Sequence, residues 1–317
     1  MSLLTLVRQL GEVLLAIAIA PLFAGWIAQC RAWLQSLSAP PLTHPYRTLR
    51  KLFQKDVALA CDASFLFRTT PYILFGTMVL AAAIIPSIAT DLPFAHAADA
   101  IALIGLFATA RVFLSLAAMD IGTAFGSMGA RRDMMIGFLA EPALLMVLFH
   151  AFLLSGSTAL PGVVDGTAAH AYWIDPSLIF AAIAFLMVLL AENARIPIDN
   201  PATHLELTMI HEAMVLEYSA RHLALVEWSS DLKLLNYACI GFALFLPWGI
   251  ATHGADGSVA LALAVVALLA KLLIAGAVLA LIESLSAKLR IFRAPEYLTT
   301  AFLLAVLGLL VHFLLGA

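Results

Sequence analysis

The sequence has few of the residues that hold redox groups. Its 317 residues include three cysteines, which lie far apart at positions 30, 61 and 239. No CxxC pair or CxxCH motif occurs, so the cysteines do not form a framework for an iron–sulfur cluster, a structural zinc or a c-type haem. We therefore expect no metal site and no cofactor in this chain, and no cysteine pair suggests a disulfide.

Motifs of soluble enzymes are missing as well. No Walker A loop, no GxGxxG that opens a helix after a strand and no GxSxG elbow is present, which excludes ATP hydrolysis and NAD binding. His211-Glu212 is followed by Ala213-Met214-Val215, so the HExxH helix of zinc proteases lacks its second histidine. The net charge of −3 gives no basis for nucleic-acid binding.

Charge is scarce, whereas apolar residues are abundant. Charged residues make up 12% of the chain, hydrophobic residues 63%, and the mean hydropathy is +1.01. A soluble domain could not hide so much apolar surface, so we predict an all-α polytopic membrane protein with one integral membrane domain over residues 1–317. Eight apolar runs are each long enough to span about 30 Å of hydrocarbon. They cover residues 10–30, 70–90, 99–119, 135–155, 176–194, 234–252, 258–283 and 298–316.

Basic residues concentrate in four of the segments that join these runs. The four segments hold 14 of the 17 lysines and arginines, and only Arg8 lies in the segments on the other side. By the positive-inside rule the four segments face the cytoplasm and both termini face outside. The predicted cytoplasmic segments are residues 31–68, 120–134, 195–233 and 284–297.

A short amphipathic helix is predicted within the first cytoplasmic segment. Between Tyr46 and Lys55 apolar residues recur at positions i, i+3, i+6 and i+7, which is typical of a helix lying along a membrane surface. This helix either contacts anionic lipid only or docks a soluble partner, and the pattern leaves both readings open. Its basic face consists of Arg47, Arg50, Lys51 and Lys55.

Acidic residues crowd into the stretch between residues 191 and 228, which contains six of the twenty in the chain. Carboxylates this close to hydrocarbon are costly and usually functional. Glu192 and Arg195 are three residues apart and can form an ion pair on one helix face, but one or two arginines cannot neutralise so many acids. Repulsion between the remaining carboxylates favours proton binding near neutral pH. The six acids are Glu192, Asp199, Glu206, Glu212, Glu217 and Glu227.

Other ionisable residues fall inside or at the ends of the apolar runs. A charged side chain at the centre of a bilayer costs roughly 2.5–3.5 kcal/mol on insertion scales, so each should face the interior of the helix bundle. They are either clamps between helices or parts of a functional site. These residues are Arg111, Glu141, Lys271 and Glu283.

Three separated motifs resemble one known family, the subunit 1 family of respiratory complex I, which also supplies the membrane anchors of energy-converting nickel–iron hydrogenases. The family's signature loop is similar to Glu192-x-x-Arg195-x-Pro197-x-Asp199-x-Pro201, followed by Glu206 and Glu217-Tyr218-Ser219. Its Gly-Ala-x-Arg loop is similar to Gly129-Ala130-Arg131-Arg132, with Glu141 at the family's offset. The predicted helix between Tyr46 and Lys55 resembles the hydrogenase branch.

The sequence departs from the quinone-using members at several positions. Two acidic positions of the signature loop are Ala202 and His204, and the stretch between Glu206 and Glu217 is about three residues longer. Ala39-Pro40-Pro41 stands where those members have a turn rich in arginine and glycine. These departures favour the hydrogenase branch.

The resemblance implies a chamber at the cytoplasmic boundary of a bacterial-type inner membrane, where a soluble redox arm meets a proton path. It implies a subunit that is not catalytic alone. The implied partners are hydrogenase large and small subunits carrying the nickel–iron site and iron–sulfur clusters, antiporter-like membrane subunits, and lipid. Glu212 is added to the site from charge density alone. The residues that match family positions are Glu141, Glu192, Asp199, Glu206, Glu217, Arg132 and Arg195.

Two other functions stay open from the sequence. One is a quinone-site subunit of an NADH:quinone oxidoreductase of the complex I type. The other is an ion transporter that works alone. The lack of an internal repeat weighs against the transporter, since many transporters are built from such repeats.

Overall fold

The described part of the chain is all-helical. A computed structural model describes residues 3–60, 62–91, 93–94, 99–169, 176–195, 210–251, 258–286 and 293–315. Within these ranges there is no β-strand, which confirms the predicted all-α class. The helices are α1 Leu3–Leu34, α2 His44–Phe53, α3 Phe65–Ile84, α4 Ala100–Asp120, α5 Ala124–Ser155, α6 Leu160–Ala169, α7 Pro176–Glu192, α8 His211–Val215, α9 Ala220–Phe245, α10 Ser258–Leu285 and α11 Ala294–Leu315.

Six of these helices are long and apolar enough to cross a membrane, and they confirm a polytopic membrane protein. They coincide with α1, α3, α4, α5, α10 and α11, and the shorter apolar helix α7 matches a seventh predicted run. The eighth run, 234–252, overlaps the second half of α9, whose first half is polar. That helix ends at Phe245, earlier than the predicted run, and Pro247 follows two residues later.

The long helices α5 and α9 both begin well inside segments that the sequence predicts as cytoplasmic loops. Helix α5 starts within 120–134, where the Thr123 side chain accepts a hydrogen bond of 3.3 Å from the backbone N–H of Gly126. A threonine at this position satisfies a donor that the first turn would otherwise leave unpaired. Helix α9 starts within 195–233. The side of the membrane that these segments face stays a prediction.

Helix α9 lies at the centre of the bundle and contacts α1, α2, α3, α6, α7 and α10. Its fully buried Tyr237 stacks on Phe107 of α4 with ring centroids 4.9 Å apart, and the ring of Phe185 of α7 lies 6.5 Å away. Aromatic contacts of this kind place α4, α7 and α9 around one another. The part of α9 that carries Lys233 is thereby held next to the end of α7.

Helix α2 confirms the predicted amphipathic helix, but its apolar face packs on protein. Leu49 and Leu52 are buried against Ala224 of α9, and the ring of Phe53 lies 6.3 Å from that of Trp228. The four basic residues predicted for docking, Arg47, Arg50, Lys51 and Lys55, are all exposed. The helix is therefore part of the folded bundle, with its charge directed outward.

Lys271 acts as a clamp between helices, one of the two readings open from the sequence. Its ammonium group donates a 2.6 Å hydrogen bond to the carbonyl of Leu246, directly after the last residue of α9. It also lies 4.8 Å from the centroid of the Trp248 ring. A cation at the carboxyl end of a helix is favourable because the last carbonyls lack helical partners.

Candidate functional site

A buried arginine joins three carboxylates where α4, α5 and α7 meet. The guanidinium of Arg111, in α4, contacts Glu141 Oε1 at 2.7 Å and has its Nε 3.7 Å from Asp133 Oδ2, both on α5. It also donates a hydrogen bond to Glu192 Oε2, at the last residue of α7. The Arg111 side chain is only 8% exposed. Arg111 is thus neutralised by groups from two other helices, as a buried guanidinium requires.

Glu192 receives a second cation from α9. Lys233 Nζ lies 3.0 Å from Glu192 Oε2 and 2.8 Å from the backbone carbonyl oxygen of the same residue. Only 1% of the Glu192 side chain is exposed. Glu192 is therefore a buried carboxylate held between two cations and is not the unpaired acid that crowding in its own segment suggested.

The ion pair considered between Glu192 and Arg195 does not form. Helix α7 ends at Glu192, so the spacing of three residues no longer places the two side chains on one helix face. Arg195 instead contacts Glu283 Oε1 of α10 at 3.2 Å, and Glu283 Oε2 lies 3.5 Å from Arg31 of α1. Glu283 and Arg195 form a clamp that is separate from the cluster around Arg111.

All members of the cluster except Glu141 line a cavity of about 420 Å³. Part of the lining is apolar and includes Leu74, Met78, Phe107 and Leu114. Such a combination of apolar surface and a few charged groups is usual for binding and reaction sites in proteins. We call this cavity the chamber. Its polar lining consists of Arg111, Asp133, Glu192, Asn193, His211, Glu212, Tyr218, Glu227, Ser229, Ser230 and Lys233.

The predicted site residues fall into three groups. Glu141 and Glu192 belong to the Arg111 cluster, and Glu212 lines the chamber. Arg195 is in the clamp with Glu283, while the exposed Glu217 and the partly buried Arg132 do not line the chamber. The other two, Asp199 and Glu206, lie outside the described residues.

Tyr218 and Ser219 of the signature motif anchor the chain. The Tyr218 ring stacks on Phe67 of α3 with centroids 4.0 Å apart, and its hydroxyl donates a 3.2 Å hydrogen bond to the Phe67 carbonyl. Burial raises the pKa of Tyr218 well above its usual range, so the phenol remains protonated. Ser219 Oγ donates to the carbonyl of Ala58 at 2.6 Å. These contacts fix the start of α9 against α3.

Asp133 and Lys233 are members of the cluster that the sequence prediction missed. Both lie in segments that the sequence predicts as cytoplasmic loops. One signal was available: Asp133, Gly137 and Glu141 are spaced by four residues, which places them on one face of a helix. His211 Nε2, 3.6 Å from Asp133 Oδ1, extends the cluster toward α8. Among the described residues, no group of three or more His, Cys, Asp or Glu side chains is arranged to hold a metal ion.

Comparison with known proteins decides the family. A sequence model described as NADH dehydrogenase matches residues 9–314. The chain belongs to this family. This result confirms the resemblance seen in the sequence motifs, and the hydrogenase relatives described next agree with the expected branch.

Two Escherichia coli K12 proteins are similar to this chain along much of their length. Formate hydrogenlyase subunit 4 is 31% identical over 96% of this chain and 98% of its own. Hydrogenase-4 component C is 32% identical over 76% of this chain and 75% of its own. An NADH-quinone oxidoreductase subunit from Rickettsia prowazekii is 25% identical over 65% of this chain and 60% of its own.

A solved structure shares the fold. It is a chain of the membrane-bound sulfane sulfur reductase, an archaeal respiratory membrane complex, and it superposes with a TM-score of 0.77. The match covers 96% of this chain and 98% of that chain at 18% identity. The arrangement of helices around the chamber therefore belongs to a fold that a respiratory membrane complex also contains.

The space that Gly137 leaves for Arg111 gives a testable prediction. A Cβ atom at Gly137 would lie 1.9 Å from Arg111 Nη1, so Gly137→Ala forces the guanidinium away from its carboxylates. We expect a loss of about 1–3 kcal/mol in stability, measured as a lower thermal midpoint of the purified protein in detergent. The matched control is Gly105→Ala in α4, where a Cβ meets nothing within 4 Å. Equal midpoints for the two variants would contradict the packing described.

Proposed function

We propose that this chain is the membrane-anchor and proton-coupling subunit of an energy-converting nickel–iron hydrogenase of the formate hydrogenlyase type. The observation that carries the proposal is the charged cluster of Arg111, Asp133, Glu141, Glu192 and Lys233, of which all but Glu141 line the chamber. Support for the hydrogenase branch comes from the two Escherichia coli relatives, which are a formate hydrogenlyase subunit and a hydrogenase-4 component.

The composition of the cluster suits proton exchange. Three carboxylates face two cations, so one negative charge remains when all the carboxylates are ionised and His211 is neutral. One added proton therefore makes the cluster neutral. A proton that binds one carboxylate weakens its ion pair with Arg111, and the guanidinium then favours the other two. Proton binding thereby moves a buried positive charge between helices, which is a means of coupling to neighbouring subunits.

The proposed location is a bacterial-type cytoplasmic membrane, where the subunit joins two arms of a complex. The redox chemistry is assigned to soluble large and small subunits with a nickel–iron site and iron–sulfur clusters, since this sequence has no cysteine motif to hold such groups. Antiporter-like membrane subunits receive the protons. In this arrangement the chain contributes positioned acids and bases, and no catalytic residue of its own.

Removing the charge of Glu192 tests the proposal. In Glu192→Gln the cluster loses the carboxylate that lies between two cations, so we expect coupled proton movement to cease while the complex still assembles. Proton uptake is measured with a pH-sensitive dye in inside-out membrane vesicles, relative to hydrogen turnover, and assembly by co-purification of the soluble subunits. Glu296→Gln, at an exposed glutamate of α11, is the control. Unchanged proton uptake per hydrogen in Glu192→Gln would sink the assignment.

The exposed basic face of α2 is proposed as the surface that docks the soluble arm. Its apolar face is already covered by α9, so the charges are held rigidly and face away from the bundle. Electrostatic docking of this kind weakens as salt rises.

Reversing two of these charges tests the docking surface. We expect Arg47→Glu with Arg50→Glu to release the soluble subunits from washed membranes at a lower salt concentration than the wild type. Arg293→Glu, at an exposed arginine directly before α11, serves as the control. Identical release profiles for the two variants would leave lipid contact as the role of this face.

The apolar part of the chamber lining supports a second candidate, a quinone site of the complex I type. Leu74, Met78 and Phe107 could contact the ring of a lipid-soluble quinone while charged groups bind its oxygens. Under the main proposal a quinone-site inhibitor leaves hydrogen turnover of the purified complex unchanged. Inhibition at stoichiometric concentration would favour the quinone reading.

A further inference from the structure

A second cavity adjoins the chamber beneath the amphipathic helix. It has a volume of about 260 Å³ and lies between α2 and α9. Glu227 and Ser230 line both cavities, so the two meet across a single turn of α9. The complete lining of the second cavity is Pro45, Thr48, Leu49, Glu227, Ser230 and Asp231.

Two titratable side chains line this cavity. Glu227 also lines the chamber, whereas Asp231 has been given no role so far. It lies four residues after Glu227, so the two carboxylates are on the same face of α9. Arg195 approaches from the segment after α7 and Tyr46 from α2, close enough for each to interact electrostatically with Asp231. Within the described ranges the Asp231 carboxylate makes neither a hydrogen bond nor an ion pair.

We infer that the two cavities form one water passage, in which Asp231 and Glu227 accept protons beneath α2 and deliver them to the chamber beside Glu192. The inference rests on the proposed proton-coupling function and names the route by which protons reach its site. A polar cavity of this size has room for several water molecules, since one water occupies about 30 Å³ of liquid.

The electrostatics of the passage agree with this route. Burial raises the pKa of Asp231 to about 7, an effect that Arg195 opposes and Glu227 reinforces. Burial also raises the pKa of Glu227, and the carboxylate of Glu212 on α8 adds to that shift. Both residues precede the apolar run that begins at residue 234. Groups with a pKa near the ambient pH exchange protons readily in both directions.

Each step moves only a proton. A hydronium ion in the second cavity gives its proton to the Asp231 carboxylate, which then releases it to Glu227. Glu227 gives the proton to water in the chamber, where Glu212, Arg111 and Glu192 are part of the lining. Only O–H bonds form and break, and no electron is transferred.

Neutral and conservative variants of Asp231 test the route in inside-out vesicles that contain the assembled complex. At pH 7 we expect Asp231→Asn to lower proton uptake per hydrogen turned over by about tenfold, less than the usual contribution of a catalytic proton-transferring group. Glu227→Gln should act in the same direction. Asp231→Glu keeps a carboxylate and should restore most of the uptake, which a purely structural role of Asp231 would not predict. Asp56→Asn, at an exposed aspartate after α2, is the control.

If the complex that carries Asp231→Asn fails to assemble, blocking the passage sterically provides a second test. Ser230→Cys places a small thiol at the junction of the two cavities, and N-ethylmaleimide then fills it. We expect the reagent to lower proton uptake per hydrogen about tenfold in Ser230→Cys, whereas wild-type vesicles given the same treatment should keep their uptake.

The outcomes separate this route from the proposed function. If Glu192→Gln stops proton uptake while Asp231→Asn, Glu227→Gln and the modified Ser230→Cys all retain it, the chamber acts but this route is wrong. If Glu192→Gln retains full uptake, the proposed function itself fails. Loss in the Asp231 variant together with full uptake in Glu192→Gln would also overturn the route, because protons would then bypass the chamber.

Discussion

Arg111 places a permanent positive charge among membrane-spanning helices, and the surrounding chain has to neutralise it. A guanidinium does not lose its proton in proteins, so burial cannot be relieved by deprotonation as it can for lysine. Asp133 and Glu141 of α5 and Glu192 of α7 supply the counter-charges, and Gly137 leaves the space in which the guanidinium lies. The packing of α4, α5 and α7 therefore satisfies a charge requirement as well as the burial of apolar surface.

Stability alone gives little reason for such a cluster. Buried ion pairs seldom stabilise a protein more than apolar side chains of the same volume, because desolvation offsets most of the Coulombic attraction. The chain has plentiful apolar residues for this purpose, yet three carboxylates and two cations meet here, and all of them except Glu141 line a cavity of about 420 Å³. An excess of one carboxylate over the cations is unfavourable for packing. A site that binds and releases a proton, by contrast, requires such an excess.

The sequence was sufficient for six membrane-spanning helices and the shorter α7, because hydrocarbon thickness sets the length of an apolar run. It was insufficient at the start of α5, since charges near Asp133 suggested a loop although Thr123 caps a helix there. The partners of Glu192 were beyond sequence reasoning, as Arg111 and Lys233 are 81 and 41 residues away along the chain. Only the packing of α4 and α9 brings these two cations next to Glu192. Arg195, the neighbour in sequence, was excluded once α7 ended at Glu192.

The pattern of α2 likewise predicted an amphipathic helix without showing what its apolar face covers. Leu49 and Leu52 pack on α9 beside the turns that carry Glu227 and Asp231, so α2 forms a wall of the second cavity. Its basic residues then face outward, because the apolar positions are already occupied by protein contacts. A single helix of 10 residues thus separates the proposed docking surface from the proposed water passage. A partner bound to the basic face of α2 would contact the same helix that lines the second cavity. This one short helix is therefore enough to connect docking with proton access.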